Sequence, residues 1–267
     1  MIDFKHKDCY NVQDLINIIQ ILRAPGGCPW DAEQTHESIK KNLIEETYEV
    51  IEAINKNDKA LLCEELGDLL MQVIFHAQME AEAGEFDFDK VSDGVCKKLV
   101  ERHPHVFGEV KVNGVDDVLT NWDDIKRKTK GQKTTADSMF SVPRELPALM
   151  RAAKLQKKAA DVGFDWSDVG GALDKLEEEI AELRAAIAAN DAPNASEELG
   201  DILFSAVNVS RFIKVDAEES LTSASDKFLA RFVEVEKLAN ERGIDMKNSS
   251  LEVLDALWDE VKAKSKE

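Results

Sequence analysis

The heptapeptide EELGDLL at Glu64–Leu70 returns as EELGDIL at Glu197–Leu203, 133 residues later, with only Leu69 changed, to Ile202. The same offset carries Glu45, Glu46 and Glu49 onto Glu178, Glu179 and Glu182. Asp31, after Trp30, matches Asp165, after Phe164, at an offset of 134. Lys98 and Arg102 match Lys227 and Arg231 at 129, and Trp122-Asp123 with Lys126 matches Trp258-Asp259 with Lys262 at 136. The offset changes only between apolar-periodic stretches, as loop insertions and deletions would change it. The chain is a tandem duplication of one small unit, so its fold must be built twice.

That unit is helical. Ile39, Leu43, Val50, Ile51 and Ile54 recur at the spacing of one helix face, as do Leu62, Leu66, Leu69, Leu70, Val73 and Ile74. Leu173, Leu176, Ile180, Leu183 and Ile187, then Leu199, Ile202, Leu203 and Val207, repeat the pattern. No period-two stretch is long enough for a strand, and 13 Gly and 6 Pro are too few for a turn-rich β fold. The expected class is all-α, two tandem four-helix-bundle-like units. Residues 128–147, KTKGQKTTADSMFSVPRELP, are polar and locally basic with Gly131, Pro143 and Pro147, a linker composition. The expected division is a helical domain at 1–127, a linker at 128–147 and a second helical domain at 148–267. Asn194 with Glu197, and Ser249 with Glu252, have capping-box spacing and predict helix starts.

Fifty-three acidic against 34 basic residues set the formal charge at −19. No global positive field exists to hold nucleic acid or an anionic membrane, so neither is an expected partner. No apolar run approaches the ~20 residues that span a bilayer, and the N-terminus is too polar for a signal peptide. Cys9, Cys28, Cys63 and Cys96 form no CxxC pair, which suits a reduced, cytoplasmic setting.

EExxE alone carries little, since three acidic positions arise by chance about 2 times in a chain this long. Its plain reading is a solvated helix face. The informative feature is EExxE followed by ExxD in both halves. At ~100° per residue, Glu179 and Glu182 lie one turn apart on one face, and Glu198 and Asp201 make the same pair on the next helix. Two helices joined by a short loop run antiparallel, so these faces can meet across a groove. Clustered carboxylates repel and resist desolvation, and a hard divalent cation is the natural compensator. All-oxygen ligation without His or Cys points to Mg²⁺, with Mn²⁺ as substitute. His is absent from the whole second half. Mg²⁺ held by few carboxylates takes phosphate oxygens as further ligands, so a phosphorylated substrate follows. No glycine-rich phosphate loop occurs, so helix cations must serve: Lys175, four residues before Glu179, and Lys227 with Arg231 at i, i+4. Each read singly is an ordinary surface base. Lys98 and Arg102 repeat the second pair, whereas Lys175 faces Asn42 at the offset of 133. Trp122 and Trp258 are candidates for core packing or for stacking on a base. The His103-Pro104-His105 stretch has no second-half counterpart and reads as a polar loop.

With these motifs, and with PGGCPWD at Pro25–Asp31, RHPHVFG at Arg102–Gly108 and VGFDW at Val162–Trp166, the chain resembles the tandem-domain MazG proteins. These are nucleoside triphosphate pyrophosphohydrolases of the all-α NTP pyrophosphatase superfamily. The resemblance covers nearly the whole sequence. It implies four-helix units, a homodimer formed through helices, Mg²⁺ dependence, and hydrolysis of ATP and other NTPs to NMP and pyrophosphate. It also implies a broad taste for bases, a role in cleaning or regulating the nucleotide pool, and reliance on the C-terminal copy. Glu179, Glu182, Glu198 and Asp201 would then hold metal. Glu178 or Glu179 would orient or deprotonate the attacking water. Lys175, Lys227 and Arg231 would neutralise the leaving group, and Trp258 would face the base. A second site in the first half would use Glu45, Glu46, Glu49, Glu65, Asp68, Lys98 and Arg102. The alternatives are a narrower relative acting on dUTP or phosphoribosyl-ATP, and a non-catalytic metal-binding scaffold.

Overall fold

The computed structural model describes residues 4–264, and the side chains of Asp123 and Asp124, including the Asp123 of the Trp-Asp match, lie outside the described residues. Among the described residues there are thirteen α-helices, one 3₁₀ turn and no strand. The all-α expectation therefore holds. The chain divides into two compact units, Met1–Lys126 and Arg127–Glu267. No helix of the described residues is long and apolar enough to cross a membrane.

The first unit contains α1 (Val12–Arg23), α2 (Pro29–Glu33), α3 (His36–Lys56), α4 (Lys59–Ala83), α5 (Phe88–Arg102), α6 (Pro104–Phe107) and α7 (Val115–Thr129), whose last turn passes the unit boundary. The second contains α8 (Thr135–Phe140), α9 (Ala148–Ala160), α10 (Val169–Ala188), α11 (Ala192–Phe212), α12 (Ala217–Glu241), the 3₁₀ turn Met246–Asn248 and α13 (Leu251–Lys264). The EExxE residues sit on α3 and α10, and the ExxD residues on α4 and α11.

One dipeptide sets both hairpins. Asn57 and Asn190 take left-handed φ of 52° and 56°, which asparagine tolerates better than most residues. The following Asp58 and Asp191 cap α4 and α11: Asp58 Oδ1 accepts from the Ala60 and Leu61 amides, and Asp191 Oδ1 from the Asn194 amide at 3.2 Å. The amides of Asp58 and Asp191 reach back to the carbonyls of Ala53 and Ala186, each at 3.0 Å. Asn194 is therefore not the cap its spacing suggested. It lies within the first turn of α11, because Asp191 begins the helix three residues earlier. At α13 the corresponding shift is one residue. Ser250 hydrogen-bonds Glu252 and holds its carboxyl below the usual range, while the Ser249 hydroxyl donates to the Asp245 carbonyl at 2.7 Å.

Two loop expectations also become helix. Within 128–147, the amide of Asp137 donates to Thr134 Oγ1 at 3.1 Å, and Asp137 Oδ2 accepts from the Thr134 amide at 2.9 Å. This T-x-x-D box starts α8. The His-Pro-His stretch enters α6, with Pro104 in its first turn, where a missing N–H is harmless.

The two cores diverge at matched positions. Ile74 and Val207, 133 residues apart, are both 1% exposed. Around Ile74 the first unit packs Ile19, Ile39, Phe75 and Met79, with Leu22 and Met71 against them. At the same offset Met71 and Phe75 become Phe204 and Asn208. The second unit gathers its apolar cluster between α12 and α13 instead, around Val235, Ala239, Leu257 and Val261. Between α9, α10 and α11 it keeps a cavity.

Candidate functional site

The α10–α11 hairpin brings carboxylate oxygens of Glu179, Glu182 and Glu198 within 4.8 Å of one another, and α3–α4 does the same for Glu46, Glu49 and Glu65. Three of the four metal-ligand candidates in each half thus meet. The fourth, Asp201, lies close enough to push the Glu198 carboxyl up, as Asp68 does for Glu46 and Glu65. Both donor sets consist of carboxylate oxygens alone, a set suited to a hard divalent cation.

The two clusters differ in charge balance. Lys175 Nζ stands 2.7 Å from both Glu178 and Glu179. Its hydrogen bond holds the buried Glu179 carboxyl below the usual range, against the opposing effect of burial. The two carboxylates in turn raise Lys175, that of Glu178 most. Glu198 goes the other way, pushed up first by burial and then by Glu182 and Glu179. In the first unit, burial pushes both Glu46 and Glu65 up, helped by Asp68 and Glu49. Position 42, opposite Lys175, is asparagine. Glu178 is exposed and engaged by Lys175, outside the triad of oxygens, and its counterpart Glu45 is exposed too.

Lys175, Glu179 and Asp201 also line a cavity of about 780 Å³. Its other walls come from α8, α9, α11 and the VGFDW loop, through Met139, Leu155, Gln156, Trp166 and Phe204. Gly171, in the first turn of α10, makes room for Trp166: a Cβ there would stand 3.0 Å from the indole ring. Asp165 of the same loop accepts from Arg211 Nη1 at 2.8 Å and from its Nη2, which depresses the Asp165 carboxyl. The loop is thereby pinned to α11.

Lys227, Arg231 and Trp258 do not line this cavity. Lys227 is exposed on α12. The Arg231 guanidinium stands 5.9 Å from the centre of the Trp258 ring, which also meets Phe228 at 5.3 Å. The first unit repeats the pairing, with Arg102 at 5.3 Å over Trp122 and Lys98 exposed on α5. Sequence reasoning missed Gln156, Asn208 and Arg211. The only signal was the Asp31–Asp165 match, which marks the Arg211 partner without revealing the cavity.

The MazG nucleotide pyrophosphohydrolase domain matches residues 34–107 and 171–235, the stretches that carry the two carboxylate hairpins. The chain is 44% identical to the nucleoside triphosphate pyrophosphohydrolase of Escherichia coli K12, over 94% of this chain and 97% of that protein. It is 43% identical to the nucleoside triphosphate pyrophosphohydrolase/pyrophosphatase MazG of Thermotoga maritima, over 94% of this chain and 95% of that one. It is 50% identical to the protein YabN of Bacillus subtilis, over 92% of this chain and 50% of that longer protein. A duplicated carboxylate hairpin matched twice by one domain, and similarity of 43–44% identity over nearly the full length of two relatives, place this chain in the MazG family.

Proposed function

We propose that the second unit hydrolyses nucleoside triphosphates to nucleoside monophosphate and pyrophosphate, with Mg²⁺ or in its place Mn²⁺, and that the protein acts on the cytoplasmic nucleotide pool. The observation that carries this reading is the meeting of Glu179, Glu182 and Glu198 beside a cavity roomy enough for a nucleoside, with Glu179 and Asp201 on its wall. The names of the relatives support it, and four free cysteines suit a reducing compartment.

Glu179, Glu182, Glu198 and Asp201 would hold the cation. Once bound, the cation supplies charge neutralisation to the triphosphate and a lowered pKa to a ligated water. Lys175 favours the ionised form of Glu179, the form that ligates. Glu179 also faces the cavity and can orient a water toward the α-phosphorus. Glu178, held on the exposed side of Lys175, acts through the lysine and not on the water. Arg231, steadied over Trp258, and Lys227 are the counter-charges for the departing pyrophosphate. Their place on α12, off the cavity wall, suits a contribution across a dimer.

Attack at the α-phosphorus fixes the products. Ion-exchange chromatography of the reaction is expected to show NMP and pyrophosphate in equal amounts, and NDP with orthophosphate would refute the assignment. A panel of NTPs that includes dUTP, run beside phosphoribosyl-ATP, separates a broad enzyme from a narrow relative.

A homodimer is also expected. Leu199 and Leu203 on α11 and Leu173 and Ile180 on α10 stay exposed, as do Leu66 and Val73 on α4. Apolar faces on adjacent long helices call for a cover, and a second copy of the same helices supplies one. Light scattering should give ~60 kDa, twice the 29.8 kDa chain. Monomer alone at micromolar concentration would count against it.

A further inference from the structure

Gln156 is a buried polar residue of the cavity wall, 7% exposed. Its Nε2 donates to the Phe204 carbonyl at 2.7 Å. That bond fixes the amide orientation, because a flip would set two oxygens against each other. Its Oε1 is buried with no hydrogen-bond partner. A buried acceptor without a donor is destabilising, and native proteins retain one where a ligand or water completes it.

One helical turn beyond Phe204 stands Asn208, also on the cavity wall. Its Oδ1 accepts from Arg211 Nη2 at 2.8 Å and from Nε at 3.3 Å. Arg211 is in turn held by Asp165. The Asn208 amide is therefore oriented as firmly as that of Gln156, and with the opposite sense: Nδ2 is the atom left to donate. Gln156 on α9 thus leaves an acceptor and Asn208 on α11 a donor, on two residues of one cavity wall that Trp166 and Phe204 also line; such a set suits a flat heterocycle with an adjacent donor and acceptor. The first unit lacks it. There Phe75 occupies the position of Asn208, and Leu22 that of Gln156 at the offset of 134, both packed into or against the apolar cluster.

We infer that Gln156 and Asn208 read the hydrogen-bonding edge of the nucleobase, Gln156 Oε1 accepting from it and Asn208 Nδ2 donating to it. This rests on the cavity being the nucleoside end of the proposed NTP site. For adenine the exocyclic amine meets Gln156 and ring N1 meets Asn208. Other bases also offer a neighbouring donor and acceptor, so the pair favours a base over no base more than one base over another.

The test compares binding of AMP and of purine riboside 5′-monophosphate, which lacks only the exocyclic amine, to the full chain with Mg²⁺ by calorimetry. Neither ligand is turned over, so the readout does not depend on hydrolysis. AMP is expected to bind at least about ten-fold tighter, and Gln156→Met, close in shape and helix propensity, should bring the ratio toward one. Equal affinities in the unsubstituted protein, or no binding of either ligand, overturn the base reader whether or not the variant folds. A clear AMP preference in a protein that releases no pyrophosphate from any NTP would sustain the base reader and sink the proposed activity alone.

Discussion

Glu179→Ala and Asp201→Ala are each expected to cut NTP turnover by about 10²–10³-fold or more, whereas Glu46→Ala and Asp68→Ala should keep most of it. Both halves retain their carboxylates, so the asymmetry cannot come from the ligand set. It comes from what surrounds it. In the second unit Lys175 stands 2.7 Å from Glu179 and holds its carboxyl below the usual range, and under the proposed function it would also offer a cation to the phosphates. In the first, Asn42 stands in its place, and both Glu46 and Glu65 are pushed toward the neutral acid. One charge-assisted contact is worth roughly 1.5–3 kcal/mol, or about ten- to a hundred-fold. Space adds a second barrier. Phe75, buried among Ile19, Ile74 and Met79, fills the first unit where the second has its cavity. The measurement is steady-state pyrophosphate release by the four variants, each checked for helical content by circular dichroism. First-half variants as inactive as the second-half ones would mean that both hairpins catalyse.

Removal of divalent cations with EDTA should abolish hydrolysis, and Mg²⁺ or Mn²⁺ should restore it. Full activity in metal-free buffer would refute the role given to the carboxylates. The same titration has a readout in stability. Glu198, Glu46 and Glu65 all have folded pKa values above their unfolded ones. Such a group stabilises the fold below its unfolded pKa, near 4.3, and loses that contribution as pH rises through the folded value. The metal-free clusters therefore hold carboxyls whose charged forms are disfavoured by burial and by one another. A cation that binds only the folded state relieves this and adds RT ln(1 + [L]/Kd), about 2.7 kcal/mol at a hundred-fold excess over Kd. The melting temperature should rise on addition of Mg²⁺ at pH 7, and the rise should shrink as pH falls toward 4. A melting temperature indifferent to Mg²⁺ at pH 7 would show that neither hairpin binds it.

Much of this molecule was legible as sequence because its determinants are local and periodic. The duplication, the all-α class and the hairpin pairs follow from offsets and from apolar residues at helical spacing. The meeting of Glu179, Glu182 and Glu198 follows too, since one turn on each of two antiparallel helices admits few other arrangements. Even the hairpin turn was written locally, as Asn57-Asp58 and Asn190-Asp191, although capping-box spacing drew attention to Asn194 instead. The T-x-x-D box that starts α8 was hidden by the linker composition around it.

What tertiary structure alone decided is what fills the space between helices. Phe75 and Asn208 are both ordinary residues on a helix. That one completes a core and the other lines a cavity depends on α1 and α9, whose matched positions carry Leu22 and Gln156. Likewise Lys175, Lys227 and Arg231 look alike as helix cations, yet only Lys175 reaches the carboxylates within one chain. Side-chain spacing fixes direction about a helix axis, but burial and partnership depend on neighbours distant in sequence. The orphaned Gln156 Oε1 and the Asp165–Arg211–Asn208 chain of contacts therefore emerge only once α9, α11 and the VGFDW loop are packed together.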